Sequence, residues 1–214
     1  MISYLIDASV AVEFYKPKAS FRTLREYKHS LDLRKYVTQQ KLTKKAVIFI
    51  PSFCIAEVRN TLAKWYFRGR NVFRSKQHYE SAFRNFISHV RDRKFFYSYD
   101  LNRYHNLNTS TITELEHTTN TEFDATGLPI GTDSKSINEN LCQKNLYDHI
   151  GRYYLSTLDI LIIAMGMELK RITGKETHLL TSDKRLNLIS SKRPKEFPRS
   201  CYWPELKISE LLKG

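Results

Sequence analysis

The chain has 214 residues, a length that suits one domain with a single hydrophobic core. Hydrophobic residues make up 41% of it and charged residues 27%, proportions of an ordinary globular protein that exclude a fibrous or largely disordered chain. Lys and Arg number 35 against 22 Asp and Glu, and the net charge of +13 indicates a polyanionic partner such as nucleic acid, although a solvated basic surface would give the same balance.

Cysteine usage and apolar runs bear on the compartment. Cys54, Cys142 and Cys201 are scattered without a Cys-x-x-Cys pair, which speaks against a zinc site or a disulfide framework and favours a reducing cytoplasm. The longest apolar run, residues 160–167, is much shorter than the ~20 residues of a membrane helix, and no basic leader follows Met1. We therefore expect a cytoplasmic protein with no membrane insertion.

The first predicted unit is a strand followed by a helix. Residues 2–6 (ISYLI) favour a strand that stops at Asp7, and Ser9 is expected to cap a helix that begins at Val10. The basic stretch 22–45 carries apolar residues at helical spacing and is predicted to form an exposed helix.

A second unit of the same kind follows. Residues 46–50 (AVIFI) predict a buried strand, and Ser52 is the expected cap of a helix over 53–68. The apolar residues of segment 75–93 recur at the period of one helix face, which makes this the clearest helix of the sequence.

The composition changes after a third predicted strand at 94–99 (KFFYSY). Residues 102–145 are dominated by Asn, Thr, Ser, Asp and Glu and lack sustained periodicity. A connection of this length is unusual within a compact domain. We interpret the segment as a polar insertion that forms a loop or a functional flap.

The last third of the chain returns to alternating elements. Ser156 is the predicted cap of a strongly apolar helix (LDILIIAMGMEL) that ends at Gly174. Strands are predicted at 177–180 and 201–203, and a short helix at 208–212. Strands that alternate with helices indicate an α/β fold with a parallel sheet covered on both faces.

Four carboxylates lie at or just after the ends of predicted strands: Asp7, Glu57, Asp159 and Asp183. In open parallel sheets the ligand crevice lies outside the carboxyl ends of the strands. Asp7 and Asp183 follow strands directly, whereas the other two lie in the first turns of helices. We expect all four to face one crevice.

Each carboxylate also has a purely structural interpretation. Asp7 and Asp183 are residue types that often make turn hydrogen bonds. Glu57 can complement a helix dipole, and Asp159 forms a capping-box pattern with Ser156. The ordered set of four is harder to explain in this way than any single member.

Four segments carry a family resemblance: LIDASVAVEF around Asp7, PSFCIAEV around Glu57, LSTLDILIIAMG around Asp159 and LLTSDKRL around Asp183. In their order and in their strand and helix settings they resemble the acidic motifs of PIN-domain nucleases. The resemblance covers residues 1–185 apart from the insertion. It implies one PIN-like domain over residues 1–214, a three-layer α/β/α structure with a central parallel sheet.

The resemblance also implies a chemistry. PIN-domain proteins are metal-dependent ribonucleases, often toxins of the VapC type, so the four carboxylates are expected to bind Mg²⁺ or Mn²⁺ for endonucleolytic hydrolysis of RNA. Ser9, Thr181 and Ser182 match positions that often hold small hydroxyl residues near the metal. An antitoxin partner and a homodimer are further family expectations. The insertion and the long basic segment depart from the compact toxin pattern.

The residue chemistry agrees with these expectations. Hard carboxylate oxygens select Mg²⁺ or Mn²⁺, and a bound ion lowers the pKa of the water that attacks the phosphodiester. Asp159 or Asp183 is a candidate to orient that water. Basic residues beside the crevice are expected to hold the RNA phosphates: Arg59, Lys64, Lys184 and Arg185, with Arg68 and Arg70 behind them.

Three other classes were weighed. A haloacid-dehalogenase-like phosphatase requires an Asp-x-Asp after the first strand, which Asp7-Ala8-Ser9 lacks. A nucleotide-binding Rossmann domain requires a glycine-rich turn there. The main rival is a non-catalytic RNA-binding or partner-docking module of the same fold, since fold alone does not carry activity.

Overall fold

The chain folds around one parallel β-sheet. The computed structural model describes residues 1–67, 72–92, 95–122 and 155–211. The strands are β1 (Ile2–Ile6), β2 (Ala46–Pro51), β3 (Tyr97–Tyr99), β4 (Thr177–Thr181) and β5 (Arg199–Tyr202). Their order is β3-β2-β1-β4-β5, and every neighbouring pair is parallel. The predicted α/β class with a central parallel sheet is therefore confirmed.

Helices form two groups against this sheet. The α-helices are α1 (Ala8–Glu13), α2 (Leu24–Leu42), α3 (Ser52–Phe67), α4 (Lys76–Arg91), α5 (Arg103–Glu122), α6 (Thr157–Thr173), α7 (Lys184–Lys192) and α8 (Ile208–Leu211). Helix α3 contacts α1 and α4, whereas α5 contacts α6 and α7. Right-handed crossovers place these two groups on opposite faces. Within the described ranges, no helix has the length and apolarity needed to span a membrane.

The strand order creates one topological switch point. From β1 the chain moves outward to β2 and β3, then returns to add β4 and β5 on the other side of β1. In such sheets the crevice at the switch point opens outside the carboxyl ends of the two diverging strands. Asp7 directly follows β1, and Thr181 ends β4. The fold therefore brings these two residues to the usual ligand position.

Dense packing fixes the two central strands. Leu5 and Ile6 of β1 and Leu179 and Leu180 of β4 are fully buried. Helix α6 packs so closely beside them that a Cβ added at Gly166 would lie 2.7 Å from the Pro198 Cγ. Interiors packed to this density are rigid. The ends of β1 and β4 therefore hold the site residues in fixed positions.

Two predicted helix starts are wrong by one or two residues. Helix α1 begins at Ala8 with Asp7 as its N-cap, so Ser9 is not the cap. Helix α3 includes Ser52, which was expected to precede it. The first error has a physical reason: the Asp7 carboxylate accepts the Val10 N–H, and a carboxylate is as good a cap as a serine hydroxyl.

The interpretation of residues 102–145 as a loop or flap is wrong for its first half. Residues 103–122 form α5, a helix of 20 residues, and residues 123–145 lie outside the described residues. The helix was missed because only Ile112, Glu116 and Thr119 form its fully buried stripe beside His105. Two of those three residues are polar, so hydrophobic periodicity gave too weak a signal.

Candidate active site

Asp7 is the most enclosed carboxylate of the candidate site. Its side chain is 5% exposed and accepts hydrogen bonds from the Ser9 hydroxyl at 2.6 Å, the Val10 N–H at 3.0 Å and the Thr181 hydroxyl. Burial raises the pKa of Asp7 to about 6, and these hydrogen bonds act in the opposite direction. Asp7 is thus a buried acid that titrates close to neutral pH.

The predicted hydroxyl residues join the ends of β1 and β4. The Ser9 Oγ donates to Asp7 and accepts the Ser182 N–H at 2.9 Å. The Thr181 Oγ1 donates to Asp7 and accepts the Asp183 N–H at 2.9 Å. Each hydroxyl therefore has a donor and an acceptor, which fixes its orientation and that of the carboxylate between them.

Cys54 marks the place where three predicted acidic residues converge. Its buried thiol bonds to Glu57, and its pKa is raised by burial and then by the charges of Asp7, Glu57 and Asp159. The pKa of Glu57 is raised by desolvation and by the charge of Asp159. Asp7, Glu57 and Asp159 therefore each lie close enough to affect the Cys54 thiol, although they belong to different elements.

Asp159 also has the structural role that its sequence pattern allows. Ser156 caps α6 by accepting the Asp159 N–H at 3.2 Å, and the Asp159 Oδ2 accepts the Ser156 N–H at 2.9 Å. This reciprocal capping box is present in full. Capping and interaction with Glu57 coexist, because a carboxylate has a second oxygen.

Asp183 acts as the N-cap of α7. Its carboxylate accepts the backbone N–H groups of Arg185 at 2.7 Å and Leu186 at 3.2 Å, and it forms an ion pair with the Arg185 guanidinium at 3.4 Å. The turn and capping interpretation is therefore present in the structure. Its connection to the site runs through its N–H, which Thr181 accepts.

Glu116 is an acidic neighbour that the sequence did not reveal. It lies on α5, is 2% exposed and accepts the Leu155 N–H one residue before the Ser156 cap. Burial raises its pKa, and the charge of Asp159 raises it further. The signal that was available is the spacing of Ile112, Glu116 and Thr119, which fits one helix face once the segment is treated as a helix.

The basic residues predicted to bind RNA differ in their exposure and in their contacts within the protein. Arg59 lies on the exposed side of α3 with its guanidinium 5.6 Å from the Phe83 ring centre, and the charge of Lys64 lowers the pKa of Glu57. Lys184 is exposed beside Arg185, which is paired with Asp183. Arg68 and Arg70, expected behind them, lie outside the described residues.

The donor set suits a hard divalent cation, although the side chains do not enclose one. Among the described residues, no group of three or more His, Cys, Asp or Glu side chains is arranged to hold a metal ion. After desolvation, the charge of Asp159 raises the pKa of Glu57, and all three carboxylate charges raise the pKa of the Cys54 thiol, an accumulation of negative charge that a cation relieves. Mg²⁺ is often bound by only one or two carboxylates and keeps several waters. The residues therefore fit such an ion in donor type.

Comparisons with known proteins give structural similarities without a match in sequence. No protein-family model matches the chain, and no curated protein matches it. A solved structure that it resembles is VapBC2 from Rickettsia felis bound to a DNA fragment from their promoter. The two chains share 18% identity over 94% of this chain and 97% of that chain, with a TM-score of 0.45. Similarity at this level carries no information about activity.

Proposed function

We propose that this chain is a metal-dependent endoribonuclease of the PIN type, with Asp7, Glu57 and Asp159 as metal ligands. The observation that carries the proposal is the placement of Asp7: a buried carboxylate at the switch point, hydrogen-bonded to Ser9 in the first turn of α1 and to Thr181 at the end of β4. A negative charge held there without a cationic partner among the described residues is costly, because burial disfavours the ionised form. A divalent cation in the crevice would offset that cost.

Each residue has a distinct task in this proposal. Asp7, Glu57 and Asp159 would hold Mg²⁺ or Mn²⁺, and the bound ion would supply a water of lowered pKa and stabilise charge on the phosphodiester. Ser9 and Thr181 keep Asp7 oriented by donating to its carboxylate oxygens. Asp183, whose carboxylate caps α7, stays a candidate outer ligand or water-orienting group with Ser182 beside it.

RNA is the proposed substrate because of charge. A +13 chain gains affinity by neutralising phosphates and releasing counterions. Lys184 at the start of α7 and Arg59 in the middle of α3 are exposed, so they can contact the strand on either side of the cut. Lys64 acts on the pKa of Glu57, and Arg185 pairs with Asp183. The VapC-type toxin role, an antitoxin partner, a homodimer and a cytoplasmic location complete the proposal as family expectations.

The test is metal-dependent cleavage. Purified protein is incubated with 5′-labelled single-stranded RNA in Mg²⁺, in Mn²⁺ and in EDTA. We expect cleavage only with metal, and its loss in Asp7→Asn, with Asp32→Asn on the exposed side of α2 as the charge-matched control. Cleavage that persists in EDTA or in Asp7→Asn would refute the proposal.

A second candidate is the non-catalytic RNA-binding module. It is favoured by the lack of a three-ligand metal group among the described residues. Such a protein binds RNA equally with and without Mg²⁺ and shows no metal-induced stabilisation. RNA binding without cutting in every metal condition would support it.

A further inference from the structure

A second cavity lies away from the acidic residues, where α2 and α4 begin. It has a volume of about 530 Å³, within the usual range of ligand pockets. Its walls combine positive charge with aromatic surface, contributed mainly by Lys18, Phe21, Arg22, Tyr27, Arg74 and His78. No Asp or Glu belongs to the described lining. A pocket of this composition suits an anion that also carries a flat ring.

The cations of this cavity are available for a ligand. Neither Arg22 nor Arg74 forms an ion pair within the part of the chain that the structure describes. Two nearby carboxylates are engaged elsewhere: Glu26 accepts the Arg22 backbone N–H at 3.1 Å, and Glu13 pairs with Lys16 at 3.0 Å. The guanidinium groups therefore have no ion-pair partner among the described residues, although the Glu26 carboxylate lies beside the Arg22 backbone.

The aromatic wall is built from two rings. Phe21 and Tyr27 meet edge to face with their centres 5.5 Å apart. Lys16 lies over the Phe21 ring at 4.5 Å and Lys18 over the Tyr27 ring at 5.5 Å. Bases stack on aromatic rings and on arginine planes, and their phosphates bind lysine and arginine. The wall thus offers both contacts that a nucleotide requires.

The backbone adds to the positive potential. Thr23 caps α2 and Ser75 caps α4, and both helices begin beside the cavity. These helices have 19 and 16 residues, long enough for the positive end of each dipole to favour an anion nearby. Here the dipoles reinforce a cavity that the side chains already define.

We propose that this cavity binds a nucleotide of single-stranded RNA, with Arg22 and Arg74 on the phosphates and Tyr27 as a stacking surface. The proposal rests on the proposed ribonuclease function and assigns part of its substrate recognition. Asp7 caps one end of α1 and the cavity follows the other end, and the six residues of α1 span about 9 Å. A strand held in the cavity is therefore near enough to extend to the acidic crevice.

The test compares two double variants with the same net charge. The cavity variant carries Arg22→Ala and Arg74→Ala, which removes one arginine from each side of the cavity. The control variant carries Arg25→Ala and Arg84→Ala, which removes one exposed arginine from α2 and one from α4 outside the cavity. Binding of a short fluorescein-labelled single-stranded RNA is measured by anisotropy in EDTA, so cleavage does not interfere. Circular dichroism confirms that both variants fold.

We expect the cavity variant to bind RNA about tenfold more weakly than the control variant. Its slope of log affinity against log salt should fall by about 1.4, because each phosphate contact on a single strand contributes about 0.7. Tyr27→Leu should weaken binding at least about threefold while leaving the salt slope unchanged.

Binding of a fluorescein-labelled polyglutamate peptide is measured in the same way. Three results would overturn the assignment: equal RNA affinities in the cavity and control variants, no RNA binding by the wild type, or a cavity variant that loses only its binding to the peptide. The last result would assign the cavity to an acidic protein. Failure of the ribonuclease proposal has a different signature. If the wild type binds RNA through Arg22 and Arg74 but cuts no RNA with any metal, the cavity assignment stands and the ribonuclease proposal is refuted.

Discussion

The charge of Asp159 on α6 raises the pKa of Glu57 on α3. These helices belong to the two different groups that flank the sheet. The two carboxylates therefore interact electrostatically, although they belong to helices of different groups. Without a cation between them, their interaction is repulsive.

Removing either charge should relieve the same repulsion. In EDTA at neutral pH, Glu57→Gln and Asp159→Asn should each leave the melting temperature unchanged or raise it. The gain in the free energy of unfolding should stay below about 1 kcal/mol, because Glu57 is largely exposed. The amide oxygen of Asp159→Asn can still accept the Ser156 N–H. Thermal unfolding of both single variants and the double variant measures the coupling.

The double variant should gain less than the sum of the two single gains, since the second substitution has no repulsion left to relieve. Glu114→Gln, on the exposed side of α5, is the control and should change little. Strictly additive effects would show that Glu57 and Asp159 do not interact. A lower melting temperature for Asp159→Asn alone would mean that its capping role dominates.

A separate prediction concerns the hydroxyl between β4 and Asp7. Thr181→Val keeps the shape but removes the donor to Asp7 and the acceptor of the Asp183 N–H. Leaving buried polar groups unpaired costs about 1–3 kcal/mol. Chemical denaturation should show that loss. Any RNA cleavage should also shift to higher pH, because a hydrogen bond that lowers the pKa of Asp7 is gone.

Thr113→Val serves as the comparison for this substitution. The Thr113 hydroxyl donates only to the Thr109 carbonyl on the exposed surface of α5. It should therefore change stability by a few tenths of a kcal/mol at most. Equal effects at Thr181 and Thr113 would contradict a positioning role for the buried hydroxyl.

The sequence was informative where one local pattern decides the structure. The apolar runs of β1 and β2 and the Ser156 and Gly174 caps of α6 are short-range signals, and the structure contains all of them. Parallel order followed from the alternation of strands and helices. The same pattern predicts that Asp7 and Asp183 lie at one edge of the sheet, where the structure has Asp7 directly after β1 and Asp183 two residues after β4.

The parts that could not be predicted depend on tertiary contacts. Glu116 is buried because α5 packs on α6, and its spacing from Ile112 and Thr119 separates it from the exposed Glu114 only once the segment is known to be a helix. Cys54 was considered only for disulfides and metals, yet its thiol lies among three carboxylates. The aromatic and basic cavity joins residues of α2 and α4 that are distant in sequence.

The acid stability of the protein should depend on His178. Its ring is fully buried in β4, and both ring nitrogens lack hydrogen-bond partners among the described residues. Burial, together with the charge of Arg199 and against the opposing charge of Glu176, lowers the pKa of His178 to about 4. The unfolded chain binds a proton near pH 6.5 and the folded chain does not. Folding stability should therefore fall as the pH drops from about 6.5 to 4.

The contribution of this one residue is about 3 kcal/mol, from 2.5 pKa units at 1.36 kcal/mol each. His178→Leu removes the titrating group and keeps a side chain of similar size against the Tyr4 ring. Denaturant unfolding at neutral and acidic pH should show that the variant loses correspondingly less stability than the wild type. Parallel stability curves for the two proteins would refute the role of His178.

The final prediction joins the stability of the metal-free protein to its response to Mn²⁺, through Asp7. A carboxyl whose folded pKa is about 6, raised by burial, binds its proton more tightly in the folded than in the unfolded chain. Its ionised form therefore costs stability above about pH 6, and the cost disappears as the pH falls below the unfolded value near 3.8. In EDTA, Asp7→Asn should be more stable than the wild type at pH 7, by up to about 3 kcal/mol, and equally stable near pH 4. An asparagine oxygen can still accept the Val10 N–H, so α1 keeps its cap.

Saturating Mn²⁺ should reverse this order of stability and make the wild type more stable than Asp7→Asn. The wild type gains about 2.7 kcal/mol at a hundredfold excess over the dissociation constant, whereas Asp7→Asn loses most of that gain with its ligand. Melting curves with EDTA and with Mn²⁺, and Asp32→Asn as a control that behaves like the wild type, measure both effects. A variant that is less stable in EDTA yet keeps its full response to Mn²⁺ would show that Asp7 is a helix cap and not a metal ligand.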